Sequence, residues 1–384
     1  MMINNSRALR EIIIKKIENE GPISFKDFMA LALYEEKYGY YSQSEIRIGK
    51  DGDFVTAPHT SKLFGYLIAV QIRQFFDIGF DKGPFQICEF GAGTGMLAKD
   101  ILEYFKKFLP EYYKDLEYKV VEPLPVRQEV LSEVFEDVKE RFSLVKDFSQ
   151  LENFKGVIIA NELFDAFPVH VIEKSDDIFH EIFVDVDSSG NLVESFREVT
   201  EPQLKSYIER HLGHLPNGYR TEINLELKKW IEKLATNFEK GFFLTIDYGY
   251  SRQEYYADYR NRGTLLGYTR QKITEEFLNF PGLIDMTAHV NFSDVKEWFE
   301  EAGFRSEGYT PQWAFLGGLD IEDTVEKAFG RLDPFSPVLA GVKSLIFPQG
   351  MGESHKVFVA SKEMDGNFEL KGFAMKNDIE RLAH

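Results

Sequence analysis

The sequence predicts an α/β fold built around a mostly parallel sheet, and a repeated strand and helix pattern carries this prediction. An apolar strand over 85–90 runs into a glycine-rich turn and then into an amphipathic helix over 96–108. Further short apolar strands follow at 118–121, 142–145 and 156–160, and polar or acidic residues come directly after each of them. Alternation of this kind builds a parallel sheet that is buried on both faces and binds ligands at the carboxyl ends of its strands.

Helices precede the first of these strands. Apolar residues recur at helical spacing over 6–20, Gly21-Pro22 ends that helix, and Ser24 begins the next one. The segment 38–58 is rich in Gly, Tyr and Asp and has no helical period, so we expect a structured loop that carries function. It leads into an apolar helix over 63–76.

The second half of the chain interrupts the alternation and then resumes it. After the strand at 156–160 we expect antiparallel strands with a turn at 188–191. The remaining predicted elements are helices at 202–211, 222–238, 293–302, 321–329 and 337–345, and strands at 242–246, 304–309 and 356–360. No internal repeat or low-complexity linker is present in the sequence, which favours elements built around one sheet over a series of separate domains.

Composition excludes several classes of protein. The 384 residues carry 45 Lys and Arg against 63 Asp and Glu, a formal net charge of −18. Such an acidic chain repels nucleic acid and suits a basic partner. With 43% hydrophobic and 15% aromatic residues, the chain can close a large core, which argues against disorder.

Cysteine content and terminal sequence bear on the compartment. Cys88 is the single cysteine, so no internal disulfide and no cysteine-based metal centre can form, and we expect Cys88 to be a core residue. The histidines show no metal-ligand spacing, and no apolar run reaches the length of a membrane helix. The N-terminus lacks the apolar region of a secretory signal, which favours a cytoplasmic protein.

The turn after the first sheet strand is the sharpest local signal. It reads G-x-G-x-G at Gly91, Gly93 and Gly95, with Thr94 inside it and Glu89 two residues before it. Glycines let the backbone approach a ligand, and the following helix offers N–H groups, so a nucleotide-type ligand is implied. The dinucleotide fingerprint needs a glycine at position 96, where this chain has methionine, so S-adenosylmethionine (SAM) is favoured over NAD.

Acidic residues after the next two strands fit an adenosine. Glu122 ends the second strand, where a carboxylate can accept both ribose hydroxyls. Asp147 follows the third strand and could accept the adenine amino group, while Phe148 could pack on the ring. The alternative for both acids is a solvated residue at a strand end.

The segment NELFDAFP at 161–168 follows the fourth strand, where a transferable group would be presented. Glu162 and Asp165 are three residues apart and can share one face of a turn, with Asn161 beside them. Carboxylates match the planar fork of a guanidinium, so the pair could orient a cationic acceptor. The alternative is a helix start at which acids are favoured by the helix dipole.

Taken together, longer strings resemble one family over nearly the whole chain. They are GKDGDFVTAP at 49–58, EFGAGTG at 89–95, NELFDAFP at 161–168, DYGY at 247–250 and DMTAHVNF at 285–292. The sequence resembles the MidA family of SAM-dependent methyltransferases, which includes a mitochondrial complex I assembly factor regarded as a protein-arginine methyltransferase and its bacterial homologues. Several of these strings have no role in generic SAM binding.

The resemblance implies a class I methyltransferase fold, which is Rossmann-like with a seven-stranded, mostly parallel sheet. It adds a helical N-terminal cap and an α+β insertion. The implied segments are a cap with a Gly/Asp-rich loop (1–83), a SAM-binding core (84–172), the insertion (173–240), the rest of the core with substrate-side elements (241–364) and a weakly held C-terminal tail (365–384).

The resemblance also implies SAM as cofactor and transfer of a methyl group to an arginine of a protein. Glu162 then receives the proton, with Asp165 and Asn161 assisting. The substrate-side residues implied are Asp53, Thr56, Pro58, Asp247, Tyr248 and His289. For His289, a hydrogen-bonded structural role is the alternative.

Two other functions stay open at this point: a SAM-binding assembly chaperone without catalysis, and a small-molecule methyltransferase. The expected partner is a protein with a cationic acceptor side chain, without nucleic acid, membrane insertion or a metal. A homodimer is one option for the oligomeric state. We expect the cytoplasm for a bacterial protein and the mitochondrial matrix for a eukaryotic one.

Overall fold

The protein is described by a computed structural model that covers residues 2–43, 57–269, 272–331, 333 and 336–383. Its α-helices are α1 (Met2–Glu20), α2 (Phe25–Tyr34), α3 (Ala57–Thr60), α4 (Lys62–Gly79), α5 (Met96–Phe108), α6 (Pro110–Tyr113), α7 (Pro125–Val134), α8 (Pro202–His211), α9 (Leu225–Asn237), α10 (Arg252–Tyr255), α11 (Phe292–Glu301), α12 (Gln312–Gly317), α13 (Ile321–Phe329) and α14 (Pro337–Ile346).

Its strands are β1 (Ile23–Ser24), β2 (Phe85–Phe90), β3 (Leu116–Val121), β4 (Phe142–Val145), β5 (Phe154–Asn161), β6 (His170–Ser175), β7 (Ile178–Val186), β8 (Leu192–Glu198), β9 (Arg220–Ile223), β10 (Phe238–Tyr250), β11 (Leu266–Thr269), β12 (Lys272–Thr274), β13 (Asp285–Thr287), β14 (Val290–Asn291), β15 (Arg305–Pro311) and β16 (His355–Lys362).

The main sheet has the strand order β15-β16-β10-β5-β2-β3-β4, with the short β14 added beside β10. The pairs β2·β3, β2·β5, β3·β4 and β5·β10 are parallel, and β16 runs antiparallel to both of its neighbours. The mostly parallel sheet that the resemblance implies is therefore confirmed, with seven strands in its main order and β14 as a short eighth strand. Its topology switches between β2 and β5, and ligands of open α/β sheets bind at such a point.

Helices cover both faces of this sheet because its central strands are apolar on both sides. Successive residues of a strand point to opposite faces. On β10, the ring of Phe242 stacks on Phe75 of α4 at 4.3 Å between centroids, whereas its neighbour Phe243 packs against Phe299 of α11 at 4.6 Å. Each face thus has its own hydrophobic cluster, which fixes the strand ends rigidly.

A second, antiparallel sheet carries the insertion. Its order is β1-β7-β6-β9, with β8 paired to β7. Strand β1 belongs to the N-terminal segment, so the cap and the insertion share one sheet and a third hydrophobic cluster. The helix expected over 222–238 starts three residues later, because Glu222 lies in β9 and Asn224 caps α9.

The C-terminal segment, which we expected to be a weakly held tail at 365–384, packs on the rest of the fold at several of its described positions. Phe373 is buried against Phe315, at 5.5 Å between ring centroids, and Leu382 is also buried. The backbone N–H of Asp378 donates to the carbonyl oxygen of Tyr309. No single helical or strand period runs through the apolar residues of this segment, so the sequence pattern does not reveal their burial.

The described residues contain neither a candidate membrane-spanning helix nor a candidate metal-binding group. No helix there combines the length and apolar composition needed to cross a membrane. In the same residues, no group of three or more His, Cys, Asp or Glu side chains is placed to hold a metal ion.

Candidate active site

A cavity of about 620 Å³ lies at the carboxyl ends of β2, β3, β4 and β5. We divide the named residues of its wall into a glycine-loop side, made of residues 89–94 with Glu122, Asp147 and Phe148, and a carboxylate side, made of Asn161, Glu162 and Asp165. The wall also includes Tyr34, Tyr41, Pro58, His59, Arg127, Leu163, Ala166, Phe167, Trp230 and Lys233.

The glycine loop leaves room for a ligand at the start of α5. Gly91, Gly93 and Gly95 have φ angles of +69°, +55° and +78°, which side-chain-bearing residues rarely adopt. A Cβ on Gly91 would lie 2.8 Å from the Leu163 side chain, and one on Gly95 would lie 2.8 Å from the Phe135 ring. Gly95 is also the N-cap of α5, so N–H groups of the first helical turn lie at this end of the cavity.

Glu89 forms part of the inner wall of the glycine-loop side. It is buried, and one of its oxygens accepts a hydrogen bond of 2.7 Å from the Tyr118 hydroxyl. Burial raises the pKa of Glu89 to about 7, and the Tyr118 hydrogen bond opposes that rise. Nearby, Thr94 Oγ1 lies 3.0 Å from Nε2 of His59, which joins the glycine loop to α3.

The acids expected at the adenosine end differ in their surroundings. Glu122 is buried, and its Oε1 accepts the backbone N–H of Leu124 at 2.9 Å, while burial raises its pKa. Asp147 is exposed, and its Oδ1 accepts from the backbone N–H and hydroxyl of Ser149, which lower its pKa. Both line the cavity.

Phe148 lies in the aromatic floor beside these acids. Its ring packs against Phe90 at 5.1 Å and against Trp230 of α9 at 5.5 Å, between centroids. The Nζ atom of Lys233 lies 4.9 Å from the centre of the Phe148 ring. A flat aromatic ligand could therefore be sandwiched here, between apolar surfaces with a cation at the rim.

The carboxylate side begins with Glu162, directly after β5. Its φ angle is +47°, an uncommon value for a residue with a side chain. Its Oε1 accepts from the Ala57 backbone N–H at 3.3 Å and from Asn161 Nδ2 at 3.4 Å, and lies 3.8 Å from His355 Nε2. Burial, then the charge of Asp165, raises the pKa of Glu162 to about 8.

Asp247 holds the turn that carries these carboxylates. Its Oδ2 accepts the backbone N–H groups of Phe164 at 2.9 Å and Asp165 at 3.3 Å, and its Oδ1 accepts that of Tyr248 at 2.9 Å. The Tyr248 hydroxyl in turn donates to Asp165 Oδ2. Burial raises the pKa of Asp165 to about 6, with the Tyr248 hydrogen bond opposing it, and raises that of Asp247 well above its usual range.

Two acceptor atoms of the carboxylate side are left without a partner among the described residues. Asn161 Oδ1 and Asp165 Oδ1 are both buried and accept no hydrogen bond there. A buried acceptor without a donor is costly, so an N–H or O–H group that reached these two atoms would stabilise this side of the cavity.

The substrate-side residues implied by the resemblance fall in different places. Pro58 lines the cavity, whereas Asp53 and Thr56 lie outside the described residues. Asp247 and Tyr248 do not line it and act on it through Asp165. His289 lies behind Tyr248, at 5.2 Å between ring centroids, and its backbone N–H donates to Thr264. Burial, then the charge of Arg260, lowers the pKa of His289 to about 4.

Sequence reasoning did not assign Tyr34, Tyr41, Arg127, Trp230 or His355 to the site. The first four line the cavity, and His355 lies behind Glu162. Tyr41 lies in the segment 38–58, whose richness in Gly, Tyr and Asp predicted a loop that carries function, and this was a usable signal. The others lie in helices or at a strand start, where an apolar or buried position is an adequate explanation from sequence alone.

Comparison with known proteins gives a consistent set of relatives. A family model described as "Putative S-adenosyl-L-methionine-dependent methyltransferase" matches residues 67–310. The mitochondrial "Protein arginine methyltransferase NDUFAF7 homolog" of Drosophila melanogaster is 28% identical over 379 residues, covering 91% of this chain and 84% of that protein. The mitochondrial protein arginine methyltransferase NDUFAF7 of Mus musculus is 28% identical, covering 90% and 82%.

Solved structures agree with these sequence matches. The crystal structure of a COG1565 superfamily member from Burkholderia thailandensis, bound to S-adenosyl-homocysteine, is 30% identical. It superimposes with a TM-score of 0.89 and covers 99% of this chain and 97% of that one. A native structure of a COG1565 superfamily protein from the same organism gives a TM-score of 0.87 at 29% identity.

Proposed function

Because the chain belongs to the S-adenosyl-L-methionine-dependent methyltransferase family whose model matches residues 67–310, we propose a specific reaction for it. The protein transfers the methyl group of SAM to a guanidinium nitrogen of an arginine in another protein. Family membership confirms the resemblance found in the sequence, the class I methyltransferase fold and SAM as cofactor. The acceptor and the roles of individual residues are our proposal.

The observation that carries the choice of acceptor is the chemistry of the carboxylate side. Asn161 Oδ1 and Asp165 Oδ1 are buried acceptors without a partner in the part of the chain that the structure describes, and Glu162 adds a second carboxylate within the same turn. A guanidinium offers five N–H donors, a positive charge and no acceptor, so it complements such a wall. Curated relatives named as protein arginine methyltransferases support the same choice.

The glycine-loop side fits the cofactor by its shape and by its donors. The glycines at 91, 93 and 95 all have positive φ, and the loop they form leads into the N-terminus of α5. We propose that Glu122 accepts the ribose hydroxyls, and that Asp147 and Phe148 receive the adenine. When bound, SAM supplies a methyl group on a positively charged sulfur, which is already activated for transfer.

The residues of the carboxylate side hold the acceptor and manage its proton. Glu162 and Asp165 orient the guanidinium so that one nitrogen faces the cofactor, and Asn161 Oδ1 accepts a further N–H. As that nitrogen gains a methyl group it must lose a proton, and Glu162 takes it. The pKa of about 8 suits this role, because a general base is most effective when its pKa lies near the working pH.

Asp247 and Tyr248 are positioning residues in this proposal. The backbone N–H groups of Phe164 and Asp165, both bound by Asp247, hold the 162–166 turn, which begins at the positive φ of Glu162. The Tyr248 hydroxyl stabilises the ionised form of Asp165 and leaves its other oxygen available. Proximity and alignment of this kind account for much of the rate of a displacement reaction.

The cysteine content of the chain supports one kind of compartment. With one cysteine in 384 residues no internal disulfide can form. This supports a reducing compartment, the cytoplasm of a bacterium or the matrix of a mitochondrion.

The test uses methyl-labelled SAM, the purified protein and a cell extract of the organism that encodes it. Label in protein that disappears with Glu162→Gln supports the proposal. Label only in small molecules would favour a small-molecule methyltransferase. Cofactor binding without any transfer would favour an assembly chaperone, and either result would overturn the proposal.

A further inference from the structure

Two tyrosines of the N-terminal segment form an aromatic pair in the cavity wall. The rings of Tyr34, the last residue of α2, and Tyr41 are stacked, with centroids 5.4 Å apart and planes at 23°. Tyr40 packs edge-on against Tyr41 at 5.1 Å, which fixes the orientation of that ring. Both members of the pair line the cavity, and 38% of Tyr34 is exposed, so stacking covers only part of its ring.

The hydroxyl groups of this pair are already bound elsewhere. Tyr34 donates to the carbonyl oxygen of Ala166 at 2.8 Å, and Tyr41 donates to Asp285 Oδ1 at 2.8 Å. The surface left for a ligand is therefore that of the aromatic rings. Ala166 directly follows Asp165, so this surface lies beside the carboxylate side of the cavity.

Several acidic side chains and one guanidinium lie near the pair. Burial raises the pKa of Tyr34, and the charges of Asp285, Asp165 and Glu122 raise it further. Burial also raises the pKa of Tyr41, so both phenols stay neutral, and Arg127 Nε donates to the carbonyl oxygen of Tyr41 at 3.2 Å. Aromatic faces combined with carboxylates are the usual setting for binding an organic cation.

We infer that the Tyr34 and Tyr41 pair selects a planar, delocalised cation over a tetrahedral ammonium. This inference rests on the proposed function and names the feature of the site that distinguishes arginine from lysine. Carboxylates attract either cation. A guanidinium is planar and weakly hydrated, so it stacks on an aromatic face, whereas a lysine ammonium is compact and strongly hydrated.

A purely structural role for the pair makes a different prediction. If Tyr34 served only to tie α2 to the 162–166 turn, its hydroxyl would matter and its ring would not. Removal of the hydroxyl alone, in Tyr34→Phe, separates that role from selection by the ring, which Tyr34→Leu removes.

The experiment measures binding of two small probes, N-acetyl-arginine methylamide and N-acetyl-lysine methylamide, to the full chain saturated with S-adenosylhomocysteine. Calorimetry or ligand-observed NMR gives both dissociation constants. We expect the wild type to prefer the arginine probe by about tenfold, Tyr34→Leu to lower that ratio to about one, and Tyr34→Phe to keep it within about threefold. Tyr259→Leu, at a tyrosine that is 76% exposed, is the matched control.

Two results would overturn the inference: an unchanged ratio in Tyr34→Leu, which includes equal loss of both probes, or the same fall in the ratio in Tyr34→Phe as in Tyr34→Leu. S-adenosylhomocysteine affinity and melting temperature report whether each variant is folded. If the leucine variant is unfolded, Tyr34→Trp replaces it and should keep or increase the ratio, whereas a lower ratio in the folded protein would contradict the inference. Because this test needs no methyl transfer, its failure is distinguishable from failure of the proposed reaction.

Discussion

The two sides of the cavity are built by different physical means. The glycine-loop side relies on backbone shape, with three glycines at positive φ before the first turn of α5. The carboxylate side relies on buried acids: the pKa of Glu162 is raised to about 8 and that of Asp165 to about 6, chiefly by burial. The glycines of the first side lose more conformational entropy on folding than other residues would. The carboxylates of the second side lose their hydration when they are buried.

This difference separates the expected effects of mutation. A change on the glycine-loop side should alter affinity for the cofactor, because shape acts on binding. A change on the carboxylate side should alter the rate and its pH dependence, because ionisation acts on the reacting nitrogen. The following predictions test that separation.

The largest effect is expected for Glu162→Gln. The amide keeps the size of the side chain and cannot accept a proton, so the single-turnover rate should fall by about 10²- to 10⁴-fold, the usual contribution of a general base. Affinity for S-adenosylhomocysteine should stay within about twofold of the wild type. The matched control is Glu209→Gln on the exposed face of α8. A retained rate would contradict the role of Glu162.

Gly93→Val should have the opposite signature. A β-branched residue is poorly tolerated at φ +55°, and Gly93 lines the cavity, so affinity for SAM should fall by about a hundredfold, equivalent to roughly 3 kcal/mol. Calorimetry checks this. Gly190→Val is the control, since Gly190 also has positive φ but a Cβ there would meet no atom within 4 Å. Equal cofactor affinity in both variants would show that the loop does not shape the site.

The pH dependence of kcat/KM should show a limb near pH 8. Glu162 acts as a base only when it is deprotonated, and its pKa is raised, so the rate should rise by about tenfold per pH unit up to about pH 8 and then level off. Glu162→Gln should remove this limb from its residual rate. A limb that persists in that variant would belong to another group.

Asp247→Asn should give the smallest effect on rate, about fivefold, together with a loss of about 2 kcal/mol in the free energy of unfolding. The carboxylate of Asp247 accepts hydrogen bonds from backbone N–H groups, whereas the NH₂ of the amide cannot accept them. The substitution therefore leaves buried donors unpaired. Asp187→Asn is the control, because Asp187 accepts the N–H groups of Ser189 and Asn191 in an exposed turn where water can replace it. Similar destabilisation in both variants would argue against a special role for Asp247.

The same contrast explains which parts of the site the sequence could predict. The glycine loop, its strand and its helix are contiguous, so period and composition suffice to locate them. The carboxylate turn was located because it follows β5 directly. Its supports come from distant segments: Tyr34 lies 132 positions from Ala166, and Tyr248 lies 83 positions from Asp165. No local pattern encodes such pairs, and only the resemblance drew attention to Tyr248.

Local sequence patterns also predicted only part of the fold correctly. Apolar alternation predicted the strands of the main sheet and the helices that cover them. It placed Glu222 in a helix, although Glu222 lies in β9 and accepts the N–H groups of Thr264 and Leu265. A buried carboxylate with backbone partners on another segment cannot be distinguished from a solvated helix acid by sequence spacing.

The most direct test of the central claim is the chemical identity of the methylated atom. The purified enzyme is incubated with methyl-labelled SAM in cell extract, and the labelled protein is hydrolysed to amino acids. Mass spectrometry then identifies the labelled residue. The account predicts methylarginine with the label on a guanidinium nitrogen, absent from the Glu162→Gln reaction. Label on lysine, on a carboxylate or on the protein backbone would contradict it.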